Sequence, residues 1–145
     1  MKAYADSSFI VALYLQQQSS SAAAKFMVQQ DTALPFTPWH RLEVRNAIRL
    51  AVFHRTIGSP EAKLQLRQME LDLRQETLIV HSPVDWVNVL REAEKLGAMH
   101  NASVGCRSSD LFHVAAATEW GADLFLTLDE RQKKMARAAG LSVKN

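Results

Sequence analysis

The stretch AYADSSFIV, residues 3–11, sets the pattern from which the fold is predicted. Residues 2–5 are typical of a short buried strand, and residues 9–15 form an apolar run that two preceding serines can cap as a helix. Asp6 therefore stands at the carboxyl end of a strand, among apolar neighbours. A carboxylate in such a place needs a cation, a set of hydrogen-bond donors or a proton.

The same alternation of strand and helix continues along the chain. Further strands are predicted at residues 34–37, 77–80, 124–128 and 141–143. Further helices are predicted at residues 21–29, 38–54, 59–75, 82–97, 108–120 and 130–139. Gly97 is taken as a helix end, which leaves residues 98–107 as a loop. Strands alternating with helices predict an α/β fold with a parallel sheet covered by helices, and ligands of such folds bind beyond the carboxyl ends of the strands.

Three more carboxylates share the setting of Asp6. Glu43 lies in the second turn of a long predicted helix, Asp110 opens another helix, and Asp129 follows a strand. If the four carboxylates converge, no single Lys or Arg can balance them. Hard divalent cations such as Mg²⁺ or Mn²⁺, which prefer oxygen ligands, are then the natural counter-charge.

Each of these acids also has an ordinary structural explanation. Asp6 and Asp129 can cap the helices that follow them, and Asp110 can be favoured by the dipole of its own helix. Glu43 can pair with neighbours along its helix. The joint pattern of the four, rather than any single acid, favours a shared site. The remaining acids are expected in turns or on solvated helix faces, among them Glu70, Asp72, Glu92 and Glu94.

Two hydroxyl residues and a histidine lie close to these acids in the sequence. Ser8 and Thr127 are each two residues from an acid, so their hydroxyls can orient a carboxylate or a metal-bound water. His113 follows Asp110 by three positions and shares its helix face, which is compatible with metal ligation. A buried histidine that is hydrogen-bonded to the backbone is the favoured interpretation.

Three arginines, Arg41, Arg45 and Arg49, recur every four residues on the helix predicted at residues 38–54. They can grip phosphates or a partner's acidic groups. A charged helix face exposed to solvent is the favoured interpretation, because most stripes of charged residues on helices face solvent.

The composition is that of one globular domain. The 145 residues are 48% hydrophobic, which predicts a single domain over residues 1–145. The net charge is only +2, so charge alone does not indicate a nucleic-acid partner. The single cysteine, Cys106, excludes an internal disulfide and a multi-thiolate zinc site, which fits a reducing cytoplasm. The apolar run at residues 9–15 is too short to span a bilayer, so no membrane association is expected.

The chain resembles the PIN domain, the nuclease fold shared by VapC-type toxins of bacterial toxin–antitoxin pairs. Four pieces carry the resemblance: DSS at residues 6–8, LEVRNA at residues 42–47, SDLFHVAAA at residues 109–117, and FLTLD at residues 125–129 leading through RQ to AGL at residues 139–141. Each piece is short, but their order and spacing cover the chain nearly from end to end.

The resemblance implies a three-layer α/β/α sandwich with a central parallel sheet and an acidic pocket for one or two Mg²⁺ or Mn²⁺ ions. Asp6, Glu43 and Asp110 would correspond to the regular acids of the family, and Asp129 to its more variable fourth. It also implies metal-dependent RNA cleavage, a cognate antitoxin and a homodimer. The alternative function is a non-catalytic module that keeps the fold for protein contacts.

Overall fold

The computed structural model describes residues 1–16, 20–30 and 32–144. Its elements in chain order are β1 (Ala3–Ala5), α1 (Ser7–Tyr14), α2 (Ser20–Gln29), β2 (Leu34–Phe36), α3 (Pro38–Phe53), α4 (Ser59–Gln75), β3 (Ile79–His81), α5 (Trp86–Val104), α6 (Ser108–Trp120), β4 (Leu124–Leu126), α7 (Glu130–Ala138) and β5 (Ser142–Val143). Contacts divide the chain into two compact units, the first made of Met1–Asp6 with Val84–Asn145 and the second of Ser7–Pro83.

The first unit contains a parallel sheet in the order β1-β4-β5. Ala5 pairs with Leu126, and the N–H of Asp6 donates to the Leu126 carbonyl at 3.0 Å. Helices α5, α6 and α7 pack on one another, and α6 also packs on β1. Because β1 and β4 are parallel neighbours, the residues that follow them emerge at the same edge of this sheet.

The second unit contains a two-stranded parallel ladder in which Leu34 of β2 pairs with Ile79 of β3. Helix α1 packs on α2 and α3, and α3 packs on α4. Thr37 caps α3, because its Oγ1 accepts a hydrogen bond from the N–H of His40. Pro38 occupies the first helical position, where its missing N–H costs nothing. All strand pairs of the described residues are parallel, as the α/β prediction required. No helix in these ranges is both long enough and apolar enough to cross a bilayer.

The predicted end of helix α5 at Gly97 is wrong, and so is the loop predicted at residues 98–107. The helix continues to Val104 and ends at Gly105, whose φ of 77° is the left-handed conformation that glycine adopts at little cost. Gly97 instead marks a close approach between helices, because a Cβ at that position would lie 3.3 Å from Cδ1 of Leu111 in α6. Packing of α5 on α6 outweighs the modest cost of an internal glycine.

The predicted solvated position of Asp72 is also wrong. Asp72 is only 6% exposed, and its carboxylate accepts hydrogen bonds from Tyr14 Oη at 2.7 Å, Gln68 Nε2 at 3.0 Å and Thr77 Oγ1 at 3.2 Å. Burial, the hydrogen bond to Asp72 and the charge of Asp72 raise the pKa of Tyr14, so its hydroxyl stays a donor. This network ties α1, α4 and the turn after α4 together within the second unit.

Candidate metal centre

Asp6 is buried at the carboxyl edge of the β1-β4-β5 sheet, with only 1% of its surface exposed. Its Oδ2 accepts two short hydrogen bonds, from Thr127 Oγ1 at 2.7 Å and from Gln132 Nε2 at 2.7 Å. Both donors come from the region that follows β4, so the strand pairing brings together residues more than 120 positions apart in the sequence. Thr127 thus donates to the carboxylate of Asp6, which is 121 positions away in the sequence, and not to that of its neighbour Asp129.

Asp129 is linked to Asp6 through the same two residues. The N–H of Asp129 donates to Thr127 Oγ1 at 3.1 Å, and Asp129 Oδ1 accepts from the N–H of Gln132 at 3.1 Å and of Arg131 at 2.8 Å. Asp129 is therefore the N-cap of α7. Partial burial tends to raise the pKa of Asp129, but the N–H groups of Gln132 and Arg131 and the Arg131 charge outweigh it and leave the pKa below its ordinary value.

Replacing Asp129 by Ala should destabilise the protein by about 1 kcal/mol at pH 7, because α7 loses its cap. Asp129→Asn keeps an oxygen that can accept the hydrogen bonds of the cap, so it should lose only the contribution of the negative charge to the free energy of unfolding. Since the folded-state pKa of Asp129 is lowered, that contribution is present above its unfolded pKa of about 4 and is lost as the pH falls through the folded value. Urea unfolding at pH 7 and at low pH measures both effects. An alanine variant as stable as the wild type would contradict the capping role.

Asp110 is the third acid of the first unit and is only 4% exposed. It occupies the first turn of α6, where its Oδ2 accepts from the Arg107 N–H at 3.1 Å and lies 3.5 Å from Arg107 Nε. Burial, followed by the negative charges of Asp110 and Asp129, raises the pKa of the Cys106 thiol to about 11. Asp6 and Asp129 are linked through Thr127 and Gln132, and the charges of Asp110 and Asp129 both act on the Cys106 thiol.

Glu43 lies in the second unit and is half-buried. Its Oε1 accepts from Ser7 Oγ at 2.8 Å, and Ser7 is the residue that directly follows Asp6 in the chain. Ser8 lies in the first turn of α1 with an exposed side chain.

His113 belongs to the core of the first unit. It is 2% exposed, and its Nδ1 lies 2.9 Å from Tyr4 Oη. The favoured interpretation of a buried, hydrogen-bonded histidine agrees with this contact, in which one partner is the hydroxyl group of Tyr4.

The arginine stripe of α3 is partly neutralised within the second unit. Glu70 Oε1 lies 2.6 Å from Arg41 Nη2 and 3.0 Å from Arg45 Nη1. Arg41 and Arg45 thus contact α4 through Glu70. One carboxylate pairs with two guanidinium groups, so part of the positive charge stays unneutralised.

Two residues at this site were not predicted from the sequence. Gln132 bonds to both Asp6 and Asp129, and the charges of Asp110 and Asp129 raise the pKa of the Cys106 thiol. Gln132 carries one sequence signal, because it lies three residues after Asp129 and so shares a helix face with the cap. Its bond to Asp6 spans 126 positions and has no local signature.

Within the described ranges, no three His, Cys, Asp or Glu side chains have the spacing of a preformed metal site. The assignment of Asp6, Glu43, Asp110 and Asp129 as metal ligands therefore stays a prediction. The donor set itself suits a hard divalent cation, because the buried groups are carboxylate oxygens already oriented by hydroxyl, amide and backbone donors.

The family model of the PIN domain matches residues 3–138. The chain belongs to the PIN domain family, and its prediction as a PIN-like α/β fold with parallel strands is confirmed. A comparison with curated protein sequences found no significant match.

Solved structures show the same fold at low sequence identity. The toxin VapC20 of Mycobacterium tuberculosis, which cleaves the sarcin-ricin loop, is 16% identical with a TM-score of 0.67, over 96% of this chain and 95% of that one. A chain of FitAcB from Neisseria gonorrhoeae is 14% identical with a TM-score of 0.68, over 99% of this chain and 96% of that one. A chain of FitAB bound to a DNA fragment named IR36 is 17% identical with a TM-score of 0.67, over 99% of this chain and 94% of that one.

Proposed function

We propose that this protein is a divalent-metal-dependent endoribonuclease that hydrolyses RNA phosphodiester bonds. The observation that carries the proposal is the buried carboxylate of Asp6, which Thr127 and Gln132 hold and link to Asp129, in a chain of the PIN family. Burying a carboxylate is costly, and a fold that buries both Asp6 and Asp110 needs a reason to do so. Binding of cations supplies that reason.

In this proposal Asp6, Glu43 and Asp110 are the principal ligands of Mg²⁺ or Mn²⁺, and Asp129 binds the cation directly or through water. Thr127 fixes the orientation of the Asp6 carboxylate, and Ser8 is assigned a similar supporting role. Bound divalent ions would supply a nucleophilic water and stabilise charge on the leaving oxygen. The protein's own groups would bind and orient; none of the four carboxylates would attack the phosphate.

We further propose that the protein is the toxin of a VapBC-type pair. The support is the fold shared with VapC20, itself a toxin, and with FitAB. A cognate antitoxin, a homodimer and a cytoplasmic location without membrane contact belong to the same proposal. The remaining prediction, that residues 1–145 act as a single nuclease domain, is supported by a family match that runs across both compact units.

A second candidate function is a non-catalytic PIN-fold interaction module. The absence of a preformed group of three metal ligands among the described residues is the observation that favours it. The two candidates differ in one property that is simple to measure, which is whether the folded protein binds divalent cations.

Cleavage of structured RNAs by the purified protein tests the proposal. We expect cleavage with Mg²⁺ or Mn²⁺, loss of cleavage with EDTA, and its return when excess Mn²⁺ is added. Cleavage that survives complete chelation would contradict the metal-dependent mechanism. Neither cleavage nor any rise of Tm with millimolar Mn²⁺ would favour the interaction module, because a ligand bound only by the folded state must stabilise it.

A further inference from the structure

Gln132 is a buried amide that joins two of the acids. It is 4% exposed and lies in the first turn of α7. Its side-chain Nε2 donates to Asp6 Oδ2 at 2.7 Å, while its backbone N–H donates to Asp129 Oδ1 at 3.1 Å. A long polar side chain is rarely buried this completely unless its polar atoms are used.

The oxygen of the same amide, Oε1, is buried and has no hydrogen-bond partner in residues 1–16, 20–30 or 32–144. The amide nitrogen is the atom that lies 2.7 Å from Asp6 Oδ2, which is the arrangement that a carboxylate, an acceptor of hydrogen bonds, requires when it holds a cation. A flip of the amide would place two acceptors against each other.

An unsatisfied buried acceptor makes the folded state less stable than it would be with an apolar side chain of similar size. The fold nevertheless buries this oxygen next to Asp6, where the proposed cation is held. A cation or its hydration water is the kind of partner that such an oxygen lacks, since Mg²⁺ keeps several waters when it binds to proteins.

We propose that Gln132 is a positioning residue of the cation site, whose amide nitrogen orients Asp6 and whose amide oxygen accepts a hydrogen bond from cation-bound water. This inference rests on the proposed function, and it assigns Gln132 a role that a purely structural amide would not have. A structural amide stabilises the cation-free protein. Gln132 stabilises the cation-bound protein and does little for the cation-free one.

The test compares the wild type with Gln132→Leu and Gln132→Met, two apolar side chains of similar volume. Mn²⁺ binding is measured by isothermal titration calorimetry, and Tm is measured in EDTA. We expect both variants to bind Mn²⁺ about 10- to 100-fold more weakly, which is the usual loss when a residue that supports a metal ligand is removed. We expect their Tm in EDTA to stay within about 3 °C of the wild type, because the lost bond to Asp6 is offset by removal of an unsatisfied oxygen.

Gln68→Leu is the matched control, because Gln68 Nε2 also donates to a buried carboxylate, that of Asp72. It should leave the Mn²⁺ affinity unchanged. Gln132 variants that bind Mn²⁺ as tightly as the wild type would overturn the inference about Gln132 and leave the proposed function standing. A wild-type protein that binds no Mn²⁺ would overturn both. A Gln132 variant that melts far below the wild type in EDTA would show a structural role and overturn the inference as well.

Discussion

Asp6→Asn is expected to reduce cation-dependent RNA cleavage by about 1,000-fold or more. The substitution keeps the shape of the side chain and removes its charge, so the proposed site would lose one of its principal cation ligands. A loss of about 4 kcal/mol of charge stabilisation corresponds to about 1,000-fold in rate. Single-turnover cleavage with saturating Mn²⁺ measures the effect.

The fold of Asp6→Asn should persist, because the asparagine oxygen can still accept the hydrogen bond from Thr127. Its Tm in EDTA should therefore stay close to that of the wild type, while the rise of Tm with Mn²⁺ disappears. Asp85→Asn is a matched control, since Asp85 is an exposed N-cap whose function asparagine can take over. Full cleavage activity in Asp6→Asn would remove Asp6 from the site.

Asp72→Ala should destabilise the protein by about 3 kcal/mol, a larger loss than that expected for Asp129→Ala. The change leaves the buried Tyr14 hydroxyl without its acceptor and also removes the acceptor used by Gln68 and Thr77. For a domain of this size the expected fall in Tm is about 6–12 °C. Urea unfolding followed by circular dichroism measures the free energy.

The double variant Tyr14→Phe with Asp72→Ala tests whether the loss of stability in Asp72→Ala comes from the unsatisfied Tyr14 hydroxyl. Removing the tyrosine hydroxyl as well leaves no unsatisfied donor from that pair, so the double variant should be less destabilised than the sum of the two single variants. Strict additivity of the three free energies would show that the hydroxyl and the carboxylate do not act together, contrary to the contact at 2.7 Å.

The order of strands and helices is predictable from the sequence because each element is marked by a short local pattern of residues. Ser59–Gln75 was predicted without error, since a Ser-Pro-Glu start and an apolar period are both local signals. The predicted end of α5 at Gly97 is too early, because glycine is typical of helix ends. The role of Gly97 depends instead on the approach of Leu111 from another helix. Local patterns do not report which helix will pack against a glycine.

The acids of the candidate site are predicted from their apolar surroundings, and their assignment stays a prediction, whereas their hydrogen-bond partners carry little local signal. The sequence indicates Thr127 because it lies two residues from Asp129, yet its hydroxyl donates to Asp6. Gln132 was missed because its bond to Asp6 exists only once β1 and β4 pair. Asp72 was misplaced for the same reason, because its burial depends on Tyr14, which is 58 residues away. Long-range hydrogen bonds of this kind carry no periodic signal in the sequence.

Titration of the metal-free wild-type protein with Mn²⁺, followed by the loss of the electron paramagnetic resonance signal of free Mn²⁺, tests the central claim most directly. We predict saturable binding of one or two ions by the folded protein, lost in Asp6→Asn and Asp110→Asn and unchanged in Asp85→Asn. A folded wild-type protein that leaves the signal of free Mn²⁺ unchanged at millimolar concentrations would contradict it.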